Sequence, residues 1–130
     1  MTKQEPIPDE YYGQWQIIET SRWNKKDLNI LGKALISFTG NYGKLRMCVL
    51  LANIKCWPTK QGVSFSWEGA WEFDKMSGSG RAKLSKDGLL KGIIKIKGDS
   101  DSSFVAERTT GPLESIPAPP SYRDKWRGRW

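Results

Sequence analysis

Short runs of alternating apolar and polar residues are the feature that most constrains the fold of this chain. In GVSFSWEG, residues 62–69, Val63, Phe65 and Trp67 fall on one phase, and two serines and a glutamate fall on the other. Successive side chains of a strand point to opposite faces, so this pattern predicts a strand with one buried face. Similar runs, separated by glycine-rich turns, cover residues 13–19, 33–38, 44–57, 81–85, 90–98 and 102–109. The sequence therefore predicts about eight short strands.

Three segments need separate interpretation. Residues 44–57 are apolar enough for a buried helix or two strands; their alternation and the stop at Pro58 favour two strands, with a bulge expected near 50–52. SGSG, residues 77–80, has the composition of a flexible turn. Residues 21–32 predict either one turn of helix or an Ω loop.

Sequential hairpins with short loops predict an all-β fold, a single antiparallel up-and-down barrel of about eight strands. Barrel closure also removes exposed strand edges. The rival architectures are a β-sandwich and an open, OB-like barrel. We expect a flexible N-terminal arm at residues 1–10, the barrel at 11–110, and a proline-rich, basic and aromatic tail at 111–130.

The amino-acid composition limits which kinds of functional site the chain can form. The 130 residues carry a formal charge of +7, no histidine and two cysteines. Without histidine the commonest general base and metal ligand is missing, so we expect no catalytic residues, no metal site and no cofactor. The chain has no apolar stretch of membrane-spanning length and no signal-peptide core, so a cytoplasmic location with reduced thiols is expected.

The pair Gly13-x-Trp15 on the first strand, with Arg108 on the last, resembles the structural signature of lipocalins and their calycin relatives. That resemblance implies a barrel in which the tryptophan plugs one end and an inward-pointing arginine stacks across its ring. Residues 67–108 also resemble small bacterial proteins with no assigned function.

The first function hypothesis is a non-enzymatic protein that binds a small apolar molecule inside the barrel. Phe65 and Trp67 are candidate inward residues, and Trp71 follows at the open end. An eight-stranded barrel either fills itself with side chains or leaves one small cavity. These three aromatics are therefore the candidate ligand-binding residues.

The second hypothesis is a module that binds nucleic acid or an acidic protein through cations. One candidate set lies on the outer face of the later strands and comprises Lys83, Lys91, Lys95 and Lys97. The other set, interleaved with aromatic residues in the tail, comprises Arg123, Lys125, Arg127 and Arg129. Cations contact phosphates and aromatic rings stack on bases, although such a tail also suits docking to a protein or packing on its own barrel.

Overall fold

The computed structural model describes residues 5–119 and shows eight antiparallel strands. A 3-10 helix, Asp9–Tyr11, precedes the first strand, and one helical turn, α1 (Lys25–Leu28), lies between the first two. The strands are β1 (Gly13–Thr20), β2 (Leu35–Thr39), β3 (Tyr42–Met47), β4 (Leu50–Thr59), β5 (Gly62–Trp71), β6 (Asp74–Leu84), β7 (Leu90–Ile96) and β8 (Ser102–Arg108).

The strands follow one another around a closed barrel in chain order. Each pairs with the next, and β1 closes the sheet by pairing with β8 as well as with β2. The prediction of an all-β, up-and-down barrel of eight strands is confirmed. Within residues 5–119, no helix is long and apolar enough to cross a membrane.

The inward face of β6 explains why residues 77–80 form part of a strand. The expected flexible turn is wrong, because SGSG lies inside β6 and the preceding turn falls at residues 72–73. Gly78 and Gly80 face the interior opposite Trp67 and Phe65. A Cβ atom on Gly78 would lie 2.7 Å from Trp67 Cζ2, and one on Gly80 would lie 2.4 Å from Phe65 Cζ. Glycine at these two positions makes room for the aromatic rings.

Residues 44–57 form parts of β3 and β4, as predicted, but without the expected bulge. A tight turn at Cys48 and Val49 joins the two strands. The expected stop at Pro58 is also wrong, since β4 continues to Thr59. Pairing with β3 ends at Lys55, so Pro58 pairs only with β5 and its missing N–H interrupts no ladder.

Segments on both sides of the barrel strands pack against it. In the predicted arm, Ile7 is 2% exposed and its N–H donates to Gly40 O over 3.3 Å. In the predicted tail, Glu114 N–H donates to Gln14 Oε1 over 3.0 Å, and the Glu114 carboxylate lies 2.8 Å from Arg46 Nη2. Residues 111–119 therefore cover part of the outer face of β1 to β3, while the rest of the predicted tail lies outside the described residues.

Candidate binding sites at the ends and on the outer face of the barrel

One end of the barrel is closed by Trp15 and Arg108, which are register partners on β1 and β8. Trp15 is 1% exposed, and the guanidinium carbon of Arg108 lies 4.1 Å from the centre of its ring. Arg108 Nη1 and Nη2 donate to the carbonyl oxygens of Tyr12 and Glu10, each over 2.7 Å. The indole N–H of Trp15 donates to Tyr11 O over 3.1 Å. The arrangement combines a stacked cation with a satisfied buried indole.

Gly13 is required by the backbone at this closed end. Its φ is +109°, a value that other L residues rarely adopt, and a Cβ there would lie 3.1 Å from Arg108 Nη1. Arg108 shares the inward phase of β8 but is largely exposed. Because β8 ends at this residue, its side chain lies across the barrel end rather than inside it.

The opposite end is covered by the β1–β2 connection, residues 21–34, which we call the lid segment. Its helix α1 begins after Asn24, whose side chain accepts a hydrogen bond from Asp27 N–H over 2.8 Å. Leu28, at the end of α1, is buried, and its carbonyl oxygen accepts a hydrogen bond from Cys48 N–H over 2.8 Å. Of the two predictions for residues 21–32, the single helical turn is confirmed.

Two tryptophans meet across this end. Trp23, in the lid segment, lies with its ring centre 6.0 Å from that of Trp71, at the end of β5. Trp23 follows β1 by three residues, and β5 lies four strands from β1 in the eight-stranded barrel, so the lid segment reaches across the opening to make this contact. The guanidinium carbon of Arg22 lies 4.7 Å from the Trp23 ring centre, and Arg22 Nη1 donates to Ser100 O over 2.8 Å.

The predicted ligand-binding residues occupy two levels of the barrel. Phe65 and Trp67 are buried in the interior, and Phe65 packs against Phe38 with ring centres 6.1 Å apart. Trp71 is partly exposed at the lid end. Trp67 is 3% exposed, and its indole N–H has no acceptor among the described residues.

Both cysteine thiols are free and buried. Burial raises the pKa of Cys56 to about 11. The pKa of Cys48 is also about 11, raised by burial and by the nearby Asp27 carboxylate and lowered in part by Arg22. The thiols therefore stay protonated near neutral pH, which makes them weak nucleophiles. Among residues 5–119, no group of three His, Cys, Asp or Glu side chains is placed to hold a metal ion.

The outer face of β6 and β7 carries the four predicted cations of the barrel, and all four are exposed. Lys83 lies directly opposite Lys91, and Lys95 lies opposite Ser79. Lys97 follows β7, where its N–H donates to Ser77 O over 3.0 Å. The four predicted cations of the tail lie outside the described residues.

Sequence reasoning missed residues at the lid end and on the outer face, which extends from β6 and β7 across β5 to β4 and β3. It did not place Trp23 against Trp71, since their contact joins segments that no local pattern connects. It also missed Tyr42, Lys44 and Lys55, which point outward on β3 and β4. The period-two alternation of those strands contains the signal that could have located these three.

These features define a small closed antiparallel β-barrel with a plugged end and a covered end. Comparison of the chain with protein-family models, with curated proteins and with solved structures found no match. The calycin resemblance therefore stands on the three residues of the plugged end.

Proposed function

We propose that this protein is a calycin-like, non-enzymatic binding protein that holds one small, largely apolar molecule in the barrel beneath the lid segment. The observation that carries the proposal is the buried indole N–H of Trp67, which has no acceptor among the described residues. A buried polar group without a partner costs about 1–3 kcal/mol, so a bound acceptor atom would stabilise the protein.

The surroundings of Trp67 support a flat, largely apolar ligand. Phe65 is the next inward residue of β5 towards the plugged end. Towards the lid, the inward residues that follow Trp67 are Gly69 and then Trp71. A flat apolar body with a single carbonyl or ether oxygen suits this lining, because rings favour stacked or tilted contact with other rings. A charged ligand would find no buried counter-ion on these residues.

The lid segment supplies a route of entry. The Trp23–Trp71 contact crosses the opening, so a molecule reaching Trp67 from this end must separate the two rings. The plugged end is held by Arg108 and Trp15 and offers no comparable opening. A cytoplasmic location remains part of the proposal, and the two free buried thiols suit a reducing compartment.

Native mass spectrometry tests the proposal. The full chain is purified gently from its source and measured beside the same protein after denaturation and refolding. We expect a reproducible adduct of small mass that is lost on refolding. The Trp67→Phe variant, which keeps an aromatic ring but removes the indole N–H, should retain less of it.

The matched control is Trp57→Phe, the same change at a residue on the outward phase of β4. This variant should keep the adduct in full. A native protein without an adduct, or an adduct retained equally by Trp67→Phe and Trp57→Phe, would refute a ligand held at Trp67.

A further inference from the structure

We propose that the outer face of β3 to β7 binds single-stranded nucleic acid along a trough. The trough comprises two grooves of about 610 and 370 Å³ that share Ser77 and Gly78, and a third groove of about 370 Å³ lined in part by Ser64 and Arg81 in the neighbouring outward row. Its outward side chains are polar or charged apart from the ring of Tyr42, and they include Lys55, Ser66, Ser79, Lys83 and Lys95. This inference concerns the outside of the barrel and does not depend on a ligand inside it.

The floor of the trough consists of small hydroxyl side chains on β5 and β6. Ser66 pairs with Ser79, and in the next outward row Ser64 pairs with Arg81. On the lid side of the Ser66–Ser79 pair, the next outward pair is Ser77 with Glu68. Glycine is a poor strand former, and the short serine side chains leave their hydroxyl groups accessible to a ligand.

The walls of the trough are cationic. On the β7 side, Lys95 and Lys97 line one groove and Lys91 lines another. On the opposite side, Lys55 lies across from Ser66. Among the described residues that line the three grooves, Glu68 is the acidic one. An extended anionic chain is therefore the ligand that this charge distribution favours.

The placement of Lys83 points to an anion as well. Lys83 and Lys91 are direct cross-strand partners, and like charges in that position repel each other. Asp87 reaches Lys91 at 3.9 Å, but both side chains are about half exposed, so screening by water makes this ion pair weak. A bound phosphate between the two lysines would relieve the repulsion.

The lining favours nucleic acid over an acidic protein. Tyr42 is 65% exposed at the edge of the largest groove, where a base can stack on its ring. The other lining side chains that reach solvent carry hydroxyl, amide or charged groups. On the same face Trp57 lies opposite Ser64 and Ile93 lies opposite Arg81. Both Trp57 and Ile93 are only partly exposed, so polar and charged groups dominate the accessible surface, unlike the apolar centre of a protein interface.

The trough has the length of a short oligonucleotide. From Ser77 to Lys83, β6 rises about 20 Å at roughly 3.3 Å per residue. Modules that bind single strands along a comparable sheet face cover several nucleotides.

Fluorescence anisotropy with the full chain tests the proposal. The probe is a labelled twelve-nucleotide thymidine strand, measured from 50 to 300 mM salt. The test variant is Lys83→Glu/Lys95→Glu, and its control is Lys25→Glu/Lys26→Glu, which makes the same charge change on α1. We expect the test variant to weaken binding about tenfold or more and to lower the slope of log K against log salt by about 1.4.

The control should bind like the natural chain. Circular dichroism and thermal melting establish that both variants are folded. Absence of binding, equal binding by test and control variants, or equal affinity for a duplex of the same length would overturn the proposal. Equal effects of the two variants would place any binding outside the trough, including in the tail. Competition by polyglutamate at the affinity of the oligonucleotide would overturn it in favour of an acidic protein partner.

A second pair of variants tests stacking without any change in charge. Tyr42→Ala should weaken oligonucleotide binding roughly fivefold or more, whereas Tyr42→Phe, which keeps the ring, should bind like the natural chain. The salt slope should be the same for both variants. Equal affinities of the two variants would contradict a stacked base at this position.

Discussion

At the scale of single residues, Arg108 joins three parts of the closed end. Its guanidinium stacks on Trp15 of β1 and donates to Tyr12 O and Glu10 O in the segment before that strand. One side chain on the last strand therefore fixes the first strand and the residues that lead into it. Arginine suits this role because its planar group stacks and donates in several directions at once.

Replacing Arg108 by alanine should lower the free energy of unfolding by about 1–3 kcal/mol, since it removes the stacked cation and two carbonyl partners. Urea denaturation followed by tryptophan fluorescence measures the change. Arg81→Ala, which removes an exposed arginine from the outer face of β6, should change it by less than about 0.5 kcal/mol. Equal effects of the two substitutions would deny Arg108 a structural role.

Gly78 is a second position where a single added atom, a Cβ, is expected to affect stability. In Gly78→Ala, the new Cβ would lie 1.9 Å from Lys95 O and 2.7 Å from Trp67 Cζ2. Neither the backbone nor the buried ring can move freely, so we expect a loss of about 2 kcal/mol or more in unfolding free energy. Thermal melting should show no comparable loss for Ser79→Ala, the neighbouring outward position. An unchanged melting temperature for Gly78→Ala would mean that the Trp67 ring lies elsewhere.

At the scale of strands and loops, the pairing of β6 with β7 places Lys83 against Lys91. Lys83→Glu turns this repulsive pair into an attractive one and should raise the unfolding free energy by about 0.2–1 kcal/mol. The variant would thus gain stability and lose oligonucleotide affinity. Lys55→Glu, with Tyr42 and Ser66 opposite it, is the control for stability and should change it little. A less stable Lys83→Glu protein would contradict the repulsion.

The lid segment is held to the barrel by hydrogen bonds from several of its residues, and Arg22 makes further contacts. Its side chain donates to Ser100 O, lies 3.6 Å from the Asp99 carboxylate and stacks near Trp23. In Arg22→Ala, amide hydrogen exchange in residues 21–34 should become about fivefold faster, while the strands exchange as before. Faster exchange throughout the barrel would show that the segment is part of the cooperative core instead.

The elements differ in how well the sequence predicts them. β5 alternates large apolar and polar residues, so its existence and its buried face follow from periodicity. β6 contains SGSG, whose composition suggests a turn. The inward residues of this stretch are glycines, because they leave room for the rings of β5. The Trp23–Trp71 contact and the convergence of cations from β3, β4 and β7 depend on barrel closure, which no single segment encodes.

At the scale of the whole molecule, the buried thiols make stability depend on alkaline pH. Cys48 and Cys56 have a folded-state pKa of about 11, against an ordinary thiol pKa of 9.0. Between these values the unfolded chain releases thiol protons that the folded chain retains. Stability is therefore unaffected by the thiols below pH 9 and falls as the pH rises from about 9 to 11.

Urea denaturation at pH 8 and pH 10.5 checks this dependence. We expect each thiol to reduce the unfolding free energy by about 2 kcal/mol between the two conditions. The Cys48→Ala/Cys56→Ala variant isolates the thiols from the lysines, which titrate in the same range, and should lose correspondingly less. Parallel losses in the variant and the natural chain would show that the thiols do not contribute.

The pairing of β1 with β8 also sets the order of events during synthesis. While β2 to β7 leave the ribosome, the growing sheet has two open edges, and β1 has only β2 as a partner. Closure must wait until the residues of β8, including Arg108, have been made. The nascent chain therefore passes through a long stage with unpaired edges, the stage at which a β protein is most exposed to aggregation.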